Sequence, residues 1–276
     1  MLAILRKLYY RLSVKQRYTV RKLIHFPQDL FRDKKTLIPP KGMIYTGSGD
    51  FVKIGNSFFE YFKKHGEINP NFTILDVGSG IGRVAIPFSK YLSKKGRYYG
   101  FDIVEQGVNW CTNNISSKYP NFKFEYVSLK NDLYNTASNN TANNFTFPYK
   151  NNKFDFVFLT SVFTHMLPND VNNYLKEINR VLKQNKKCIA TFFILDTISS
   201  NLMINSEKNF KHNFENYALM DKKVKEANVA YKKEFLFEMI NNNGFEIESF
   251  HEGNWSGRKT TCNTFSSQDI LILKKL

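Results

Sequence analysis

Residues 74–92 read ILDVGSGIGRVAIPFSKYL, and the fold turns on how they are read. The apolar run that ends at Asp76 and Val77 has the length of a buried strand, and the run after Gly82 has helical spacing. Between them Gly78, Gly80 and Gly82 form a GxGxG loop, one residue tighter than the GxGxxG dinucleotide fingerprint. A glycine loop joining a strand to a helix presents bare backbone N–H groups to a ligand. Asp102, twenty residues beyond Gly82, closes the next strand-like run. A carboxylate there can accept hydrogen bonds from both ribose hydroxyls of a nucleoside. The competing reading is a tight turn with a helix-packing glycine and an aspartate capping the following helix. Strand, glycine spacing, helix and acidic residue coincide, which favours the nucleoside.

Outward from this loop, strand-like runs alternate with helical ones, the pattern of a parallel sheet covered by helices. Strands are expected at 72–77, 97–103, 122–127, 154–160 and 187–195, with helices near 83–94, 105–117 and 170–183. A helix near 231–242 precedes a strand at 245–250, and DILILKK (269–275) follows. Only this last strand is reached without a helix, so it is expected antiparallel beside its predecessor. Two stretches interrupt the alternation: an Asn-rich, aperiodic loop insertion at 131–152, and a polar, partly helical lid or acceptor-binding insertion at 196–230. Residues 1–40 read as a basic helical arm ending at Pro39-Pro40. Residues 41–276 then make the main domain, entered through the turn YTGSGDF (45–51).

LDVGSGIGR (75–83), YYGFDI (98–103) and FDFVFLTSVFTHM (154–166) resemble the first, second and fourth motifs of the class I S-adenosylmethionine-dependent methyltransferases. Within that family the chain looks similar to a bacterial and viral subgroup. Its members run from a Pro-Pro pair through GDF and SVFTHM to a late WSGR…QD, and accompany glycan and small-molecule biosynthesis. The resemblance implies an α/β, Rossmann-like fold: a seven-stranded, mostly parallel sheet with an antiparallel last strand and helices on both faces. It implies S-adenosylmethionine as cofactor, its amino-acid half held by Asp76 and by the backbone of Gly78, Ser79, Gly80 and Gly82. Asp102 would take the ribose and Ile103 would line the adenine. Ser128 stands where relatives often carry an acidic residue near the adenine amine, and Asp132 lies four residues further on. Thr160 and Ser161, at the exit of the fourth strand, complete the cofactor set.

In open α/β sheets the ligand lies beyond the carboxyl ends of the strands. The fourth-strand exit delivers Phe163 and His165, and the loop after residue 250 delivers His251, Trp255 and Arg258. His165 is the leading base, because an imidazole near its ordinary pKa accepts a hydroxyl proton at neutral pH. Its alternative is a helix-capping or packing role. His251 is the second candidate. Phe163, Trp255 and Arg258 suit an acceptor: aromatic faces for a ring or sugar, a guanidinium for an anion. Trp255 is alternatively a packed indole. The fourth-strand exit has no carboxylate cluster, so no metal is expected.

The net charge of +16 is half supplied by residues 1–35, which carry ten Lys/Arg against Asp29 and Asp33. Leu5, Leu8, Tyr9 and Leu12 recur there at helical spacing among basic residues. The segment is either a solvated helix packed on the domain or an arm for an anionic membrane surface, with nucleic acid behind the membrane. Three dispersed cysteines (Cys111, Cys188, Cys262) and the want of a long apolar run point to a cytoplasmic protein, with peripheral membrane contact as the variant. The expected activity is O-methylation of a small-molecule or glycan-linked hydroxyl. The alternatives are an RNA methyltransferase and a catalytically silent cofactor-binding assembly protein. The fourth-strand exit reads Thr160-Ser161-Val162-Phe163 instead of the Asn/Asp-Pro-Pro-aromatic run of base-methylating enzymes, which weighs against a nucleic-acid base.

Overall fold

The computed structural model describes residues 12–47, 49–259, 261 and 265–276. The chain enters through helix α1 (Val14–Leu30), whose N-cap is a reciprocal box between Ser13 and Gln16. Of the apolar repeat read at the start of the arm, Leu5, Leu8 and Tyr9 lie outside the described residues. So does Cys262. Helix α2 (Phe51–His65) follows, capped by the Asp50 carboxylate, which accepts the Lys53 N–H at 2.9 Å.

Strands β1 (Thr73–Val77), β2 (Arg97–Asp102), β3 (Phe122–Tyr126), β4 (Phe154–Leu159) and β5 (Leu182–Phe192) then alternate with helices. These are α3 (Ala85–Tyr91) after β1, α4 (Glu105–Cys111) after β2, and α5 (Pro168–Val181) after β4. Among these five strands, only β3 and β4 are joined without an α-helix. Strand β6 (Ile194–Leu195) opens the insertion, which continues through α6 (Thr197–Leu202), β7 (His212–Asn213), β8 (Tyr217–Leu219) and β9 (Val229–Lys232). Helix α7 (Lys233–Asn242) leads to β10 (Phe245–His251), and β11 (Asp269–Lys275) ends the chain.

The main sheet has seven strands in the order β10-β11-β5-β4-β1-β2-β3. Strands β1 to β5 run parallel, while β11 is antiparallel to both β5 and β10. Parallel strands covered on both faces must be apolar on both faces. Strand β4 shows this: Val157 and Leu159 enter the core beneath α5 and α7, while Phe156 and Phe158 enter the core beneath α2 and α3. Helix α5 starts with Pro168 at its first turn and buries Val171, Tyr174, Leu175, Ile178 and Val181, the spacing of a single apolar face.

The two interruptions have more structure than their sequence suggests. Residues 131–152 carry a one-turn 3-10 helix at Ala142–Asn144 and a single antiparallel bridge between Asn131 and Asn135, and Phe147 is fully buried against Phe101 and Tyr174. The insertion is partly helical as expected, through α6 and two one-turn 3-10 helices at Met203–Asn205 and Lys225–Ala227, and it also builds a small second sheet, β6-β9-β8-β7. Its strands run to four residues at most, too short to leave a periodic trace. Among the described residues no helix is long and apolar enough to cross a membrane.

Candidate active site

The loop after β1 is fixed by backbone hydrogen bonds before any side chain acts. The N–H groups of Gly78 and Ser79 both donate to the Phe101 carbonyl, at 2.9 and 3.0 Å. Gly80 N–H donates to Asp102 Oδ2 at 2.7 Å, and Val104 N–H donates to Asp102 Oδ1 at 2.8 Å. Asp102 therefore ties the glycine loop to the start of α4. Gly80 has φ +57°, and a Cβ there would stand 2.8 Å from the Thr46 methyl. Only glycine combines that backbone with that clearance.

Two buried carboxyls face this loop. The Tyr98 hydroxyl donates to Asp76 Oδ2 at 2.6 Å. Burial nonetheless pushes Asp76 up to about 7; the Tyr98 bond opposes the rise and the Asp102 charge adds to it. Burial likewise lifts Asp102 to about 6, against the N–H groups of Gly80 and Val104. A bound cation beside either group would reverse the cost of ionising it.

Both carboxyls line a cavity of about 410 Å³ with Gly78, Ser79, Gly80, Ile103, Leu129, Asn131, Thr160, Ser161 and His165, whereas Gly82 is off its wall and packs closely against Ile115 and Cys111. That volume is within the range of small-molecule sites, about 300–1,000 Å³. Ser79 Oγ and Thr46 Oγ1 are buried on its wall without a hydrogen-bond partner, so a polar ligand would satisfy them. Apolar Ile103 and Leu129 offer a surface for a flat ring. Backbone amides, paired carboxyls, two orphan hydroxyls and an apolar wall suit a nucleoside with a charged tail.

Two further titratable side chains line the same cavity, His165 and Glu226. His165 Nδ1 lies 2.9 Å from the Glu226 carbonyl oxygen. A carbonyl only accepts, so Nδ1 carries the proton and Nε2 keeps its lone pair. Burial lowers His165 to about 4, leaving a neutral imidazole at pH 7. Glu226 lines the same cavity, and its Oε2 accepts the Asp132 N–H at 2.6 Å. Burial raises that carboxyl to about 7, against the Asp132 N–H and with the charges of Asp132 and Asp170 adding to it.

Several residues read from the sequence stand elsewhere. Ser128 is exposed and absent from the cavity wall; its carbonyl accepts from the Ser138 hydroxyl at 2.8 Å, and Leu129 faces the cavity instead. Phe163 is fully buried and stacked on Phe192, with ring centroids 4.9 Å apart, so it is core and not acceptor surface. Trp255 is a buried indole packed on Phe193 and Phe210, its Nε1 donating to Asp269 Oδ2 at 2.7 Å. Arg258 is paired with Asp196 at 2.5 Å and Glu252 at 3.2 Å. These two side chains hold the last loop against the insertion. His251 does not line the cofactor cavity: its Nδ1 lies 2.5 Å from the Tyr61 hydroxyl, in a second cavity shared with His65 and Phe265.

Other wall residues were not read as site residues. Tyr45 and Thr46 come from the YTGSGDF turn, whose glycines were the available signal. Tyr134 comes from the Asn-rich loop, while Lys208 and Glu226 come from the 196–230 insertion. Among the described residues no group of three or more His, Cys, Asp or Glu is gathered as for a metal ion.

Residues 75–190, from β1 into β5, match the family model of a methyltransferase domain. Solved structures share the architecture at low identity. A S-adenosylmethionine-dependent methyltransferase of Methanosarcina mazei is 18% identical with a TM-score of 0.52, over 77% of this chain and 96% of that one. The magnesium protoporphyrin IX methyltransferase of Synechocystis PCC 6803, solved with S-adenosylhomocysteine bound, is 15% identical with a TM-score of 0.52, over 85% and 91%. The [4+2]-cyclase SpnF is 14% identical with a TM-score of 0.54, over 83% and 84%.

Proposed function

We propose that this chain, a class I S-adenosylmethionine-dependent methyltransferase, methylates a hydroxyl oxygen on a small-molecule or glycan-linked acceptor. In this reading Asp76 and the backbone of residues 78–82 hold the amino-acid half of the cofactor. Asp102 takes the ribose hydroxyls and Ile103 packs on the adenine. When bound, the cofactor supplies a methyl group on a positively charged sulfur, open to in-line attack.

Alignment of acceptor and donor is the larger part of such catalysis. A hydroxyl acceptor also needs its proton removed as it attacks. The observation that carries the reading is the pair on the far wall: a neutral His165 imidazole and a Glu226 carboxyl near 7 facing one cavity with Asp76 and Asp102. Glu226 is the better matched base, because its pKa stands close to neutral pH. His165, fixed by the Glu226 carbonyl, can accept a hydrogen bond at Nε2. Asn228 and Gln268 on the wall suit an acceptor rich in hydroxyls.

The test is transfer of a labelled methyl group from the cofactor to glycan precursors and hydroxyl-bearing small molecules, with RNA as a parallel substrate. The reading expects label in a base-stable ether on a hydroxylated acceptor. Label confined to RNA or to an amine nitrogen would overturn it.

A further inference from the structure

Helix α1 is inverted relative to an ordinary surface helix. Its polar face grips the domain. The Arg21 guanidinium donates to the Ile44 carbonyl, and Arg32 Nη1 donates to the Ile38 carbonyl at 2.9 Å. The Asp29 carboxylate accepts the backbone N–H groups of Lys41 and Gly42, at 2.5 and 2.9 Å. Tyr18, on the same helix, packs edge-on to Tyr45 in the wall of the cofactor cavity.

The outward face is apolar. Leu23, Phe26 and Leu30 recur at i, i+3 and i+7 with Pro27 between them, and Ile24 and Phe31 lie one position round the helix. These five large side chains are between 61 and 87% exposed. Scattered apolar residues on a surface need no explanation, but a contiguous face of this kind marks a contact. Lys22, Lys34 and Lys35 are exposed beside it, and the Lys118 ammonium reaches the Lys35 carbonyl at 3.3 Å.

We propose that this face of α1 docks on an anionic lipid bilayer surface. Leu23, Ile24, Phe26, Leu30 and Phe31 enter the boundary between headgroups and acyl chains, and the flanking lysines meet anionic headgroups. An apolar face with a cationic border is the pattern of an interfacial helix. Charge selects this occupant over a second copy of the chain, since self-association would press two basic borders together in a protein of net charge +16. It also selects against nucleic acid, whose phosphates are met by cations at the front of a contact and not by leucine and phenylalanine. The proposal is independent of the acceptor assigned above.

The test is co-sedimentation of the full chain with phosphatidylcholine vesicles and with vesicles that also contain phosphatidylserine. The chain should partition onto the anionic vesicles and stay in solution with the neutral ones. Phe26→Ser/Phe31→Ser should lower that partitioning by about tenfold or more, since each buried apolar side chain adds to interfacial binding. Lys22→Glu/Lys34→Glu should lower it further as salt falls, because repulsion replaces attraction. A circular dichroism spectrum and unfolding midpoint matching the parent would show that Phe26→Ser/Phe31→Ser folds; if it does not, Leu23→Gln/Ile24→Gln takes its place. Three results would overturn the proposal: no binding to anionic vesicles, equal binding by the apolar variants, or a solution dimer that these variants split.

Discussion

Asp102 and Gly80 are joined by a 2.7 Å hydrogen bond that spans the end of β2 and the middle of the glycine loop. The second carboxylate oxygen holds Val104 N–H, so one buried side chain sets both the loop and the entry to α4. The same carboxylate is the group assigned to the cofactor ribose. On that proposal loop geometry and ligand recognition share a residue, and Asp102 variants should be read with both in mind.

Cofactor affinity should depend on pH through Asp76. Its carboxyl stands near 7 in the free protein, and a cationic amino group placed beside it favours the ionised form. Above pH 7 Asp76 is already ionised and the attraction is fully present. Below pH 7 binding must first remove a proton, so affinity falls as pH falls. Calorimetry at pH 6 in buffers of different ionisation enthalpy should show protons released on binding. Asp76→Asn should remove the larger part of that release, the remainder coming from Asp102, which burial lifts to about 6.

Glu226→Gln should lower kcat by about 10²-fold or more, the ordinary range for a lost general base. Affinity for S-adenosylhomocysteine should stay within about twofold, about 0.4 kcal/mol. In the parent, activity should rise with pH through about 7 as the carboxyl ionises, and the variant should lose that limb. His165→Ala should lower kcat while leaving the limb in place. Steady-state kinetics across pH separate these outcomes.

Asp269 should prove structural. Its carboxylate is buried and accepts from Ile194 N–H and Gly253 N–H, each at 2.8 Å, and from the Trp255 indole at 2.7 Å. Asp269→Ala leaves three buried donors without a partner and should cost about 2–4 kcal/mol of stability. Denaturant unfolding would measure this loss. Burial raises the Asp269 carboxyl to about 7, above the unfolded value, so ionising it opposes folding. Its contribution to stability is fully present below the unfolded pKa and is lost as pH rises through about 7. In Asp269→Ala that part of the pH dependence should disappear.

The parallel strands were legible because both their faces are buried, which makes runs such as FDFVFL stand out from the helices between them. That Asp76, Gly78, Gly80 and Asp102 would share one cavity was legible because they lie within one β-α-β unit, at spacings that backbone geometry enforces. The surroundings of the proposed acceptor residues were not. Trp255 and Arg258 have the chemistry of ligand contacts, but their partners Asp269 and Asp196 become visible only once the last loop is folded onto the insertion. Glu226 failed in the opposite direction. It is one glutamate in a polar stretch, and its raised pKa comes from burial beside Asp132, 94 residues away in the chain. His251 has the right residue type at the right sheet edge, but its side chain turns to Tyr61 and away from the cofactor cavity.

The most direct measurement is calorimetric titration of the purified chain with S-adenosylhomocysteine, beside Asp102→Ala. The parent should bind one equivalent, and the variant should bind about tenfold or more weakly, because hydrogen bonds to a charged group contribute about 1.5–3 kcal/mol. Absence of binding by the parent, or equal binding by Asp102→Ala, would contradict the assignment of this cavity to the methyl donor.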